Sequence, residues 1–268
     1  MPSDEEKVAA LTERAAAQQD RILVRLVQFI VARLRRLGAS DWYSDREVRA
    51  AAEDIAVAVR AGQGTVADMT AAVMAHALQV QGVNARPAPV KLPENLRGVD
   101  EVDVWMRPAK EYRRARLVGD DGEAFKAAES RARLLASDDL RLAERTAVTD
   151  YLPTVKGITG YRRVLHPELS RTGVCGLCVA ASTRIYRTDQ LMPVHTRCKC
   201  GVLPVTRAWD AGKALNATSL QAYTSVGSTD RAELKKARFR LVNHGELGPV
   251  LVAAEGSYAG PDDLKATA

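Results

Sequence analysis

Residues 3–38, SDEEKVAALTERAAAQQDRILVRLVQFIVARLRRLG, decide the fold class. Ser3 or Asp4 is placed to cap a helix, and Glu6 stands where a capping box needs its carboxylate. Leu11, Ala15, Ile22, Val24, Leu26, Phe29, Ile30 and Leu34 then recur at three- and four-residue steps, the spacing of one helix face. Gly38 is a stop signal, so a single helix is expected over 4–37. A second should start near Ser44, with Glu47 three residues on, and end at Gly62 and Gly64. A third fits Thr65 to Gln81, with Met69, Val73 and Leu78 as its apolar stripe and His76 as a packed or surface side chain.

The run 82–98 carries Asn84, Pro87, Pro89 and Pro93 without periodicity, and reads as a linker or as an arm laid on a neighbouring surface. Helical pattern resumes over about 102–117, where Pro108 should end or kink one piece. It continues over 123–135 and 138–151, with Ser137 as an N-cap between them. After Pro153 short apolar alternations take over. Thr183–Tyr186 and Val202–Val205 suit brief strands, Phe239–Val242 and Pro249–Ala253 a small hairpin or an addition to a small sheet, and the polar end from Ser257 a frayed tail. The expected fold is mainly α: a helical N-terminal region followed by a small α+β C-terminal domain with a zinc knuckle. Its divisions fall at 1–82, 83–98 (linker), 99–153 (helical), 154–256 (Cys/His motif) and 257–268 (tail). Scarce aromatics, 5%, fit helices packed by small and aliphatic side chains better than a β-sandwich.

A formal charge of +6 is a mild basic bias. The nearest candidate for a nucleic-acid face is Arg113, Arg114 and Arg116, which helical spacing spreads around a helix, with no stacking aromatics between them. The best apolar run, Ile22 to Leu34, is interrupted by Arg25, Gln28 and Arg33 and falls short of a membrane span. An acidic N-terminus without a signal-type apolar core points to the cytosol, where thiols stay reduced.

The constellation with chemical specificity is Cys175-Gly-Leu-Cys178, then after sixteen residues His195-Thr-Arg-Cys198-Lys-Cys200. These are all four cysteines of the chain. Two short paired motifs separated by a loop are how a chain wraps a tetrahedral zinc ion. In an extended Cys198-Lys199-Cys200 both thiols fall on one face and Lys199 on the other. Five candidate ligands compete for four positions. A site of all four cysteines and a site of three cysteines with His195 are both open, as are a disulfide and packed reduced thiols. No His-Glu-x-x-His, no deaminase order and no adjacent His-His or Asp-His accompanies the cluster. With thiolates filling most positions the site reads as closed, a structural staple for a domain with a small core.

The segment from Arg162 to Val205 resembles the phage head morphogenesis domain of MuF-like minor capsid proteins, of the type found in actinobacterial phages. The resemblance rests on the Cys-x-x-Cys, the Tyr186 region, Pro193-Val-His195-x-x-Cys198-x-Cys200 and the trailing Leu203-Pro-Val. It departs from the family at His195-Thr-Arg, where His-Pro-Asn is common, and at Lys199, where Arg is usual. The resemblance implies a minor head protein that accompanies the portal in procapsid assembly, in the host cytoplasm and then inside the capsid of the virion. Scaffold, major capsid protein, packaged DNA and further copies of the chain are the other partners it brings into view. Some such proteins carry the label capsid maturation protease. Ser170, Ser182 and Ser225 with His166, His195 and His244 are the residues such chemistry would draw on, but no Gly-x-Ser-x-Gly elbow frames a serine. His166, before Pro167, reads as a capping or exposed residue at a helix end, and His244 as a turn residue. A zinc-dependent DNA-binding protein is the other alternative, separable by its steep salt dependence.

Overall fold

The computed structural model describes residues 2–169, 176–192, 198–217, 220, 239–244 and 248–253. Helix α1 spans Asp4–Leu34 and opens on a complete capping box. Ser3 N–H donates to Glu6 Oε2 (2.6 Å), and Glu6 N–H donates to Ser3 Oγ (3.2 Å). It stops at Leu34, and Gly38 lies in the following turn, where its N–H donates to Asp41 Oδ2 at 2.8 Å.

Helix α2 spans Asp45–Val80, capped by Ser44, which accepts from Glu47 N–H. The two helices expected around Gly62 and Gly64 are therefore one. Gly62 sits where three helices meet: a Cβ there would lie 3.4 Å from a Leu140 methyl and 3.5 Å from one of Leu26. Packing along the whole length outweighs the roughly 1 kcal/mol that each glycine costs a helix interior. The helix ends at Gly82, whose φ of 76° suits a residue without a Cβ. Gly82 N–H donates to Gln79 O and Val83 N–H to Leu78 O, both at 2.9 Å, the Schellman pattern.

Helices α3 (Glu101–Trp105) and α4 (Arg107–Arg116) are separated at Met106, with Pro108 in the first turn of α4. Helix α5 runs unbroken from Asp121 to Tyr151. Ser137 thus caps nothing; with Asp138 and Asp139 it is buried mid-helix. Asp139 Oδ1 accepts from Arg97 Nε (2.9 Å) and Gln63 Nε2 (3.3 Å), so the acceptor the sequence offers to a local backbone serves tertiary partners instead.

Contacts fix the arrangement. Arg33 pairs with Asp54, and Val8 shares a cluster with Ala77, so α1 and α2 run antiparallel. Gln63 bonds Asp139, while Ala71 and Met74 meet Val148, so α5 runs parallel to α2. The main core draws Leu26, Ile30, Ile55, Val59, Trp105 and Leu135 from both sides of the 83–98 segment. That segment is tied to the chain's own helices: Gln79 Nε2 donates to Ala85 O (2.7 Å), Tyr151 Oη to Arg86 O (2.9 Å), and Arg97 reaches Asp139.

After α5 come strand β1 (Ile158–Val164), helix α6 (Gly176–Ser182), strands β2 (Ile185–Tyr186) and β3 (Gly201–Thr206), and helix α7 (Ala211–Leu215). They form an antiparallel sheet in the order β2-β1-β3, with Tyr161 opposite Tyr186 and Val164 opposite Gly201. A separate hairpin pairs β4 (Phe239–His244) with β5 (Gly248–Ala253), as the sequence suggests. The chain is mainly helical with a small sheet in its C-terminal region. The tail from Ser257 lies outside the described residues.

The central strand β1 escapes the sequence reading, because Ile-Thr-Gly-Tyr-Arg-Arg-Val puts two charges where a buried strand should be apolar. The pleat sends them to opposite faces. Arg162 forms a bidentate pair with Asp210 at 2.6–2.9 Å, and Arg163 points to the cysteines. Gly160 is required where β2 crosses, since a Cβ there would stand 2.4 Å from Tyr186 O and 2.6 Å from Ile185 Cγ2. Gly160→Ala is expected to destabilise the protein by about 2–3 kcal/mol through overpacking against backbone. A urea midpoint within error of wild type would contradict this.

Candidate metal centre

Cys178 is set in the first turn of α6, while Cys198 and Cys200 lie in the irregular run that enters β3. The strand pairing that joins β3 to β1 carries Cys198 and Cys200 toward Cys178. All three thiols are buried and none is in a disulfide. Their sulfurs lie within 4.8 Å of one another, with Cys178 Sγ and Cys198 Sγ 3.8 Å apart, close enough to bind a metal ion. Lys199 turns the opposite way, as the alternation of an extended chain requires, and its Nζ reaches Asp20 Oδ1 of α1 at 3.2 Å.

The cluster is held from behind by arginines. Cys200 O accepts from Arg145 Nη2 and, at 3.4 Å, from Arg141 Nη1, both on α5. Glu144 balances them, 3.1 Å from each guanidinium. Arg163 from β1 is fully buried, with Nη1 3.3 Å from Cys198 Sγ and 3.5 Å from Cys178 Sγ. Burial opposes its charge, but Cys178, Cys198 and Cys200 outweigh that and raise its pKa well above the usual value. Buried Asn216, at the end of α7, pins the strand that carries it: Nδ2 donates to Arg163 O (2.7 Å), and Oδ1 accepts from Leu165 N–H (2.9 Å).

The thiols themselves are pulled in two directions. A hydrogen bond from Cys178 lowers the pKa of Cys200, but the bond with Cys198 and burial push it up to about 12. Without a cation Cys200 keeps its proton at neutral pH, so binding a metal there must release it.

Of the five sequence candidates, the structure brings Cys178, Cys198 and Cys200 together, and Cys175 and His195 lie outside the described residues. Ser170 and Ser225 lie outside them as well. Ser182 is 1% exposed, and its hydroxyl donates to Val179 O at 2.8 Å. His166 stands between β1 and the 3-10 turn Pro167–Leu169, whose Leu169 N–H donates to His166 O at 3.2 Å; it is buried, with Nδ1 2.6 Å from Glu168 Oε1, which corrects the exposed role read from sequence. It lines a cavity of about 30 Å³ with Gln19, Arg141 and Glu144, room for water rather than a substrate. His244 belongs to β4 and not to a turn. The three arginines of α4 each meet a carboxylate: Arg113 with Asp45, Arg114 with Glu111 and Arg116 with Asp121.

Sequence reasoning missed Arg163, Arg145 and Asn216. The one signal is Arg162-Arg163 in an otherwise apolar neighbourhood, since a buried strand carries charge only where each charge has a partner. Among the described residues no helix is long and apolar enough to cross a membrane. No family model, no curated protein and no solved structure matches this chain.

Proposed function

We propose that the chain is a minor capsid protein of the head morphogenesis type, associated with the portal during procapsid assembly and stapled by one structural zinc ion. The observation that carries the reading is the gathering of Cys178, Cys198 and Cys200, three of the five signature positions, in one buried cluster inside the segment that resembles that family. Zinc suits the donor set: with Zn–S bonds of about 2.3 Å, the edge of a tetrahedron is about 3.8 Å, and Cys178 and Cys198 stand 3.8 Å apart. Cys175 and His195 are the candidates for the remaining position.

The burial of all three sulfurs favours a structural over a catalytic ion, because a catalytic site keeps an open position. Against the capsid protease alternative stands Ser182, whose hydroxyl faces a backbone carbonyl rather than a histidine. Against the DNA-binding alternative stands the neutralised arginine cluster of α4, which offers phosphates little net charge. An assembly component works through surfaces, and the long helices supply them.

The test is co-expression with the portal, scaffold and major capsid proteins of the same phage, followed by sedimentation of the particles. The chain is expected to travel with portal-containing particles, with scaffold processing unchanged when Ser182 is replaced by Ala. Sedimentation as a free protein in the presence of assembled portal rings would overturn the proposal.

A further inference from the structure

Arg163 is fully buried, and its guanidinium is directed at sulfur. Arginine keeps its proton under any condition a protein survives, so this is a permanent positive charge. A permanent positive charge this close to sulfur favours the thiolate over the thiol. A disulfide between Cys178 and Cys198 would leave two neutral sulfurs beside the cation. Three thiolates on a divalent ion carry a net charge of −1, which one guanidinium balances, and a fourth thiolate would make the centre more anionic still.

The position of Arg163 is built rather than incidental. It comes from β1, the middle strand of the sheet, paired on both sides. Asn216 clamps its carbonyl at 2.7 Å, so the backbone that aims the side chain has little freedom. A single nitrogen, Nη1, lies within reach of sulfurs from two different segments, Cys178 of α6 and Cys198 before β3.

We propose that Arg163 is the fixed counter-charge of an anionic metal–thiolate centre, positioning Cys178 and Cys198 through N–H···S bonds and setting how tightly the site holds its ion. The site then takes a thiophilic divalent cation on at least three thiolates, in preference to hard cations such as Mg2+ or Ca2+. It also disfavours both the protonated trio and the Cys178–Cys198 disulfide. The inference rests on the metal reading of the cluster, and the two fail differently.

The experiment uses Co2+ as the probe, loaded into the full-length protein, with the sulfur-to-cobalt charge-transfer band as readout and a competing chelator to rank affinity. Wild type is expected to bind one Co2+ per chain and to show the band. Arg163→Met is expected to weaken binding by about 10- to 100-fold, the range seen when groups supporting metal ligands are removed. Arg163→Lys, which keeps the charge and occupies similar space, should fall between the two. Circular dichroism identifies which variants retain the helical fold. Affinity equal to wild type in a folded Met or Lys variant overturns the role of Arg163 while leaving the metal site standing. A wild-type protein with no band, and a mass two hydrogens low from a Cys178–Cys198 disulfide, overturns both.

Discussion

Treating the purified protein with a strong chelator is expected to release one divalent ion per chain and to open residues 158–206 to trypsin, while the helices over 45–80 and 121–140 stay protected. The reasoning is one of core size. Among the described residues, the cluster around the cysteines adds only Leu165, Val179, Ala180 and Leu220 to the three thiols. That is too little apolar area to hold α6 and the approach to β3 without a cross-link. Stripped of its ion, the cluster must also reprotonate beside the Arg163 guanidinium, which favours thiolates. The main core of α1, α2, α4 and α5 shares no residue with the cluster. The loss should therefore be local before it is global. Cys198→Ala and Cys178→Ser are expected to reproduce it, costing about 3 kcal/mol or more and lowering the Tm by roughly 6–12 °C for a chain of this size. Native mass spectrometry counts the ion, and a proteolysis time course on both forms reads the opening. Equal resistance of 158–206 with and without the ion would sink the staple.

The same contrast between local and tertiary forces explains which parts of the fold are legible in the sequence. Helix starts are readable, because a cap is satisfied within three residues: Ser3 with Glu6, and Ser44 with Glu47. The break at Pro108 is readable for the same reason. Where a tertiary partner takes over a local signal, the signal misleads. Gly62 and Gly64 look like a stop, but α2 runs through both, with Gly62 packed between α1 and α5. Ser137 looks like a cap and, with Asp138 and Asp139, is the buried polar middle of α5. Strand β1 is hidden because its arginines are neutralised by groups far along the chain, Asp210 on one face and the cysteines on the other.

The site divides along the same line. Cysteine spacing exposes the candidate ligands, because the geometry of a metal ion constrains residues two or three apart. It says nothing of Arg163, Arg145 or Asn216, whose roles depend on the sheet bringing α5, β1 and α7 to the same place. The cluster is therefore not a separate knuckle hung on a helical body. Through Cys200 O it is bonded to α5, and through Lys199 to α1. A metal ion bound there would fix the orientation of the small sheet against the long helices as well as its own loops.

Replacing Asp139 by Ala should produce the largest effect of any substitution outside the cysteine cluster. Asp139 and Arg97 are an ion pair at 2.9 Å with side chains 4% and 2% exposed, in the interior between α5 and the end of the 83–98 segment. Arg97 also donates to Leu135 O at 3.0 Å, and Gln63 Nε2 leans on the same Asp139 oxygen at 3.3 Å. Removing the carboxylate takes an anion from beside a buried guanidinium and deprives Gln63 of this acceptor. Breaking a buried pair from one side costs about 3–5 kcal/mol, whereas replacing both partners by apolar residues of similar volume is near neutral. Asp139→Ala is accordingly expected to lower the Tm by roughly 10 °C. The double variant Arg97→Met/Asp139→Leu should recover most of that loss. Because Arg97 anchors the extended segment, the single variant should also cut faster between residues 86 and 98, a region otherwise held at Ala85 and Arg86. If Asp139→Ala melts within 2 °C of wild type, the pair contributes nothing to stability, and the bonds from Gln79 and Tyr151 suffice to hold the segment. If the double variant is no better than the single, the interior there depends on polar shape and hydrogen bonding rather than on the uncompensated charge.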